Sequence, residues 1–246
     1  MSDGGGRGNG PGPGGRGWFI TLEGPEGAGK TTQARALAAR IEALGLAVVV
    51  TREPGGTPVA ERIRDVLLAQ PGGDDPLDAR ADALLFNAAR AQHVARLIRP
   101  AVEAGTTVVC ARFADSTVAY QGFGRGVPVD ELRAIERFAT GGLVPDLTIV
   151  LDVPVEVGLA RKVGESNRFE TTFDRAFHER VRAAFRSLAA AEPERFVVVD
   201  ATAPAELVAD HVAAAASRLP GLGALASAGP GTSRNEPDAR VERIYG

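Results

Sequence analysis

Trp18-Phe-Ile-Thr-Leu-Glu23, followed at once by Gly24-Pro-Glu-Gly-Ala-Gly-Lys30-Thr31, is the stretch that decides the fold. Six residues rich in aromatic and branched side chains read as a strand. The next eight match G-x-x-x-x-G-K-[ST] in full. Beyond them Ala34, Leu37, Ala38, Ile41 and Leu44 recur at helical spacing, and Gly45 stands where a helix stops. Between a strand and a helix, small residues let backbone N–H groups curl around a phosphate, and the helix adds its positive end. Gly24, Pro25, Glu26, Gly27, Ala28, Gly29, Lys30, Thr31 and Thr32 are therefore the expected ATP-binding residues. Lys30 would neutralise the β- and γ-phosphates, and the Thr31 hydroxyl would ligate Mg2+. No N-K-x-D sequence that reads guanine is present, so ATP is expected in preference to GTP.

Outward from this unit, short β-branched runs alternate with helical patterns. Ala47-Val-Val-Val-Thr51, Thr106-Thr-Val-Val-Cys110, Leu147-Thr-Ile-Val-Leu-Asp152 and Phe196-Val-Val-Val-Asp200 read as four more strands. Val59, Ile63, Val66 and Leu67 mark an amphipathic helix, and residues 78–104 read as a long helix ended by Gly105. Apolar strands separated by helices imply a parallel sheet covered on both faces, a three-layer α/β fold. In such sheets ligands sit beyond the carboxyl ends of the strands.

The chain has 246 residues, 44% hydrophobic and 24% charged, with a net charge of −3. No apolar run is long enough to span a bilayer, so no membrane association is expected. The slight negative charge gives no reason to expect a nucleic-acid partner. A single cysteine, Cys110, excludes an internal disulfide. Without the apolar core of a signal peptide, the expected compartment is the cytoplasm. Residues 1–17 hold nine of the thirty glycines and are expected to form a disordered tail, and residues 219–246 a second one. The folded domain is then expected over residues 18–218. The histidines, His93, His178 and His211, are too dispersed to argue for a metal site.

Three further segments fall at the ligand edge. Thr51-Arg-Glu-Pro-Gly-Gly-Thr57 places Arg52 beside a Gly-Gly turn, which suits a second phosphate. Leu84-Leu-Phe-Asn-Ala-Ala-Arg90 puts Phe86 and Arg90 four apart on one helix face. Arg112-Phe-Ala-Asp-Ser-Thr-Val-Ala-Tyr120-Gln121-Gly-Phe-Gly-Arg125 leaves the third strand with an arginine, hydroxyls, an aromatic ring and an amide.

With these pieces in this order the chain resembles thymidylate kinases, through FITLEGPEGAGKTTQ, TREPGGT, LLFNAARAQHV, RFADSTVAYQGFGRG, PDLTIVLDV and FVVVDAT. The resemblance implies the P-loop NTPase form of the α/β fold, a five-stranded parallel sheet with a short lid. It also implies phosphorylation of dTMP with ATP and Mg2+, in a homodimer. By position, Phe86 would stack on thymine, Arg90 would bond its exocyclic oxygen, and Thr117 with Ser116 would meet the base edge. Arg52 and Arg112 would hold the dTMP phosphate, and Glu26 would approach the 3′-hydroxyl. Tyr120 would crowd the 2′ position, with Gln121 near the substrate and Arg161 near the adenine. Lys30, Arg112, Lys162 and Arg168 would carry the catalytic charge.

Three positions depart from the family pattern. Ala111 stands where the family has Asp, a carboxylate expected to hold the magnesium site. Asp115, Glu23 and Asp152 are the candidates to replace it. The lid segment, Arg161-Lys-Val-Gly-Glu-Ser-Asn-Arg168-Phe-Glu170, is poor in arginine, and Asn167 replaces the usual Asp. Two other readings therefore stay open: a P-loop ATPase of another class with Asp152 as its magnesium carboxylate, and a catalytically impaired relative acting as a nucleotide-binding regulator. A kinase for another monophosphate fits Phe86, Arg90 and the STVAYQG segment less well.

Overall fold

The computed structural model describes residues 10–69, 77–162 and 173–226. Its centre is β1, Phe19–Glu23, with every residue buried. β3 (Thr107–Ala111) and β4 (Leu147–Asp152) flank it in parallel, and β2 (Val48–Arg52) and β5 (Phe196–Asp200) complete the order β2-β3-β1-β4-β5. The registers place Leu22 beside Ala111 on one side and Ile149 on the other. All five strands therefore lie within one residue of the runs read from the sequence.

Alternation along β1 feeds two cores. Ile20 and Leu22 pack with Leu37 and Ile41 of α1 (Lys30–Ala43) and with Val208 and Val212 of α9 (Ala205–Ala216). Phe19 turns the other way, onto Val94, Ile98, Val102 and Phe113. Beyond it, Val150 packs on Phe177, Val181 and Phe185 of α8 (Arg175–Ala191). On that side α2 (Pro58–Leu68) packs on α3 (Ala79–His93). α3 runs on through a widened turn at Val94–Ile98 into α4, Arg99–Glu103. Pro100 has no N–H for the carbonyl four residues back, and its ring would crowd that carbonyl, so the helix widens there. After β3 come α5 (Ala114–Thr117), a wide turn at Val118–Gly124, and α6 (Val129–Thr140). α7 (Val155–Ala160) follows β4.

Residues 10–17 and 219–226, expected within the two tails, pack onto the domain. Residues 10–17 fold onto the domain, with the Gly17 N–H bonding Val102 O at 2.8 Å and the Arg16 guanidinium paired with Asp146. A side chain at Gly17 would overlap the Thr106 carbonyl, so here glycine marks close backbone approach and not disorder. At the other end the Trp18 indole donates to Pro220 O at 3.0 Å, and Leu222 and Leu225 are buried in the core with Trp18. The two flanks meet, with Gly221 against Pro11.

Truncating Leu222 to alanine should therefore cost about 2–4 kcal/mol in urea unfolding, as for other wholly buried leucines. A loss below about 1 kcal/mol would place this segment outside the cooperative unit.

Candidate active site

One cavity of about 1030 Å3 runs along the carboxyl edge of the sheet. Its first wall is the loop from β1 to α1. α1 begins at Lys30 with Gly29 as a left-handed cap at φ 86° and no capping side chain, which leaves the first backbone N–H groups for a ligand. Gly27, at φ 70°, packs so closely on Gly158 of α7 that a side chain there would overlap the Gly158 carbonyl. Glu26, Gly27, Ala28, Gly29, Lys30, Thr31 and Thr32 line the cavity as expected. Gly24 and Pro25 contribute from behind, their carbonyls accepting from Lys30 Nζ at 3.0 and 2.6 Å. Burial drives the Lys30 ammonium down to about 7, and the charge of Arg112 pushes the same way.

Arg112 forms the second wall. Its backbone is left-handed at φ 70°, a conformation a non-glycine residue holds only when its surroundings compel it. The guanidinium donates to Glu26 Oε1 at 2.7 Å and to Ser116 Oγ at 3.4 Å, and lies 5.0 Å from the Tyr120 ring centre. The Tyr120 hydroxyl donates to the same Glu26 oxygen at 3.1 Å. Burial alone would raise the Glu26 carboxyl, but the charges of Arg112 and Lys30 outweigh it and hold the group at about 2. Burial pushes the Tyr120 hydroxyl well above its usual range. Glu26 stays a carboxylate and Tyr120 a neutral donor.

The β2 end brings Arg52, which donates to Pro54 O at 3.0 Å and to both oxygens of Glu61, at 3.1 and 3.2 Å. Beside it stands Arg64 of α2, which sequence reasoning missed. Arg64 donates to Pro54 O at 2.8 Å, and burial together with the charge of Arg52 lowers it to about 10. The signal was available, since Arg64 and Leu68 lie four apart on α2 and both line the cavity. Phe86, Ser116, Thr117, Tyr120 and Gln121 also line it, as do Arg161 and Lys162 at the far end. Arg161 donates to Ala201 O at 2.9 Å, beside the loop after β5 that closes that end. Arg168 and Asn167 lie outside the described residues.

Arg90 is buried and bonded on every side to the protein. It is 1% exposed and stands behind the cavity wall. Its Nε donates to Glu53 at 2.8 Å, NH1 to Asn87 at 3.1 Å, and NH2 to Phe113 O at 3.0 Å and Thr117 Oγ1 at 3.1 Å. Four buried polar bonds fix this guanidinium as a brace between α3 and the loop after β3. Glu53 also meets His93 Nδ1 at 3.1 Å, so that histidine is part of the same brace.

Ala111 lines the cavity, and none of the three candidate replacement carboxylates does. Asp115 is bound by Arg195 at 2.7 Å, Asp152 by Arg182 at 2.7 Å, and Glu23 by Ser116 Oγ and Phe113 N at 2.6 and 2.7 Å. Among the described residues no group of three or more His, Cys, Asp or Glu could hold a metal ion. Thr31, next to Lys30 in the cavity, suits a cation that arrives with nucleotide phosphates and keeps part of its water.

The family model for thymidylate kinase matches residues 22–212. A thymidylate kinase of Thermomicrobium roseum is 57% identical over 198 residues, covering 79% of this chain and 92% of that protein. One from Pseudomonas putida strain W619 is 52% identical over 206 residues, covering 83% and 97%. Among solved structures, the thymidylate kinase of Ehrlichia chaffeensis superposes with a TM-score of 0.62 at 34% identity, covering 75% of this chain and 93% of that one.

The site generates a stability prediction through Glu23. Burial, aided by the charge of Asp115, raises this carboxyl to about 7, against 4.5 when unfolded. The folded state thus holds a proton that the unfolded chain gives up, and stability falls as pH rises from 4.5 through 7. Glu23→Gln should remove that component, on the order of 3 kcal/mol. Urea unfolding of both proteins at pH 5 and pH 8 checks it, and equal pH slopes would refute it.

Proposed function

The chain belongs to the thymidylate kinase family, and we propose from that premise that its cavity holds ATP and dTMP end to end. The γ-phosphoryl group passes directly to an oxygen of the dTMP phosphate, giving dTDP. The observation that carries this reading is the continuity of one cavity, with a phosphate-cradling loop at one end and three arginines beside an aromatic residue at the other. A site for ATP hydrolysis alone has no use for the second end. Asp152, the carboxylate that reading needs, is taken by Arg182 outside the cavity.

The acceptor is already an anion, so no base or covalent intermediate is required. The work is to hold two polyanions in line and neutralise the charge between them. The backbone N–H groups of residues 27–31 and Lys30 take the ATP phosphates, with Arg161 beside the adenine. Arg52, Arg64 and Arg112 take the dTMP phosphate, their forked donors suiting its oxygens. Phe86 stacks on the thymine, Thr117 and Ser116 meet its edge, and Gln121 lies beside it. Tyr120 and Glu26 face the sugar, where the ring crowds a 2′-hydroxyl and the carboxylate accepts from the 3′-hydroxyl. Lys162 and the lid's Arg168 add positive charge over the phosphates. Mg2+ held by Thr31 and the ATP phosphates supplies further neutralisation when bound.

The same reading extends to a homodimer and a cytoplasmic setting. Val59 and Val66 of α2, Leu84 of α3 and Phe138 of α6 are exposed apolar side chains on three neighbouring helices, and Phe138 is 91% exposed. Such a face fits a second copy of the chain. A buried, unpaired Cys110 suits a reducing compartment, and among the described residues no helix is long and apolar enough to cross a membrane.

Coupled detection of dTDP, with and without dTMP, tests the activity. Turnover of roughly 1 s−1 or faster is expected with dTMP, and ATP consumption should nearly vanish without it. Equal consumption in both would make the chain an ATPase. Running Ala111→Asp alongside shows whether a carboxylate at that position speeds the reaction. Arg64→Ala should raise KM for dTMP about tenfold or more, with a smaller change for ATP.

Lys30 supplies a second test. A lysine held at about 7 in the free protein is mostly uncharged at pH 7.5, and a bound triphosphate restores its charge. Calorimetric titration with Mg·ATP at pH 7.5, in buffers of different ionisation enthalpy, should read an uptake of more than roughly half a proton. No uptake would show that Lys30 enters the complex already charged.

A further inference from the structure

Behind the Phe86 end of the cavity lies a buried carboxylate that no step above uses. Asp82, in the first turn of α3, is wholly buried. Its Oδ2 accepts from Gln121 Nε2 at 3.0 Å and from Arg125 NH1 at 2.9 Å. Arg125 is itself held in place, donating through NH2 to Leu77 O at 2.7 Å. Asp82 precedes Phe86 by four residues and so shares its face of α3, while Gln121 follows Thr117 by four on the facing segment. Carboxylate, amide and aromatic ring therefore meet at one corner of the cavity.

An amide side chain has two ends of opposite character, and the end that faces a ligand decides which ligand is accepted. A carboxylate paired with a guanidinium offers acceptors only, so it takes the NH2 end of Gln121. The carbonyl oxygen is then the acceptor that Gln121 offers a molecule in the cavity it lines. We propose that Asp82, held by Arg125, is a positioning residue that sets base selectivity by locking the Gln121 amide with its acceptor end toward the base. A locked acceptor favours pyrimidines that carry a ring N–H between two carbonyls, thymine and uracil. It disfavours cytosine-type bases, which present a bare ring nitrogen at that place. Selectivity would thus be set by a residue that touches no substrate. The proposal deepens the reading of the Phe86 end as the base site and rests on it.

The test compares dTMP with 5-methyl-2′-deoxycytidine 5′-monophosphate, which differs only in the 4-substituent and the proton on the ring nitrogen. The readout is the ratio of their kcat/KM values with Mg·ATP. In Asp82→Asn the neighbour can donate as well as accept, and Gln121 can turn over. The ratio should fall about tenfold or more, with most of the change in KM. Arg125→Met, at a partly exposed position, frees the same carboxylate from its partner and should lower the ratio by a smaller factor even if Asp82→Asn does not fold. Losses that are equal for both substrates in both variants would make Asp82 a merely structural residue and overturn the proposal. Gln121→Leu separates the two layers of the argument. If it leaves the ratio unchanged, the base does not meet Gln121 and the underlying placement fails. If it collapses the ratio while Asp82→Asn and Arg125→Met do not, the placement stands and the role of Asp82 falls.

Discussion

The contact between Glu26 and Arg112 is the one on which the rest of the site depends. Glu26 belongs to the loop after β1 and Arg112 to the loop after β3, so a 2.7 Å ion pair closes the two walls of the cavity onto each other. It also compensates a conformation that the backbone would otherwise avoid, because Arg112 is left-handed at φ 70°. The pair is half-buried, and such a pair persists best when further bonds satisfy both partners. Tyr120 does this twice, through its hydroxyl to Glu26 and its ring face to Arg112. Burial and the charge of Arg112 pull Lys30 below its ordinary range, and Glu26 offsets this only in part. The site's own side chains carry more positive than negative charge, which is the condition a polyanion relieves.

Close backbone approach fixes where this charge sits. Gly27 lies against Gly158, and a side chain on either would overlap a carbonyl of the other segment. The phosphate loop is thereby seated on α7, the helix that leads to Arg161 and Lys162. The phosphate loop, Arg161 and Lys162 consequently share one footing. The acceptor end is built differently, from side-chain bonds between α3 and the segment after β3.

That difference explains what could be read from the sequence. The five strands, the phosphate loop and most cavity-lining residues follow from local periodicity and from a motif whose spacing is its mechanism. The flanks were misread because a run such as Gly12-Pro13-Gly14-Gly15 carries no local sign of the distant backbone it packs on. Gly17 against Thr106 and Trp18 against Pro220 are contacts that only the closed fold creates. Arg90 was placed on the right helix face, but its position does not announce its buried protein partners. Position predicts a face, whereas whether a guanidinium meets ligand or protein depends on Glu53, Phe113 and Thr117, all remote in sequence. Arg64 was passed over because α2 was read only for its apolar face.

The acceptor end repays a closer look at α3. Asp82, Phe86 and Arg90 recur every four residues, which turns each one about 40° further round the helix. A single two-turn stripe thus supplies an anchor for the Gln121 amide, a flat wall of the cavity and a brace to Phe113 and Thr117. Sites built on a regular element hold their geometry better than sites assembled from loops. Asp82 and Arg90 both reach the facing segment after β3 through bonds to Gln121 and Arg125 and to Phe113 and Thr117. On the proposed reading, a base entering there would meet surfaces that are already fixed, so little ordering cost would fall on binding. The base of the acceptor would then be selected by a preformed pocket.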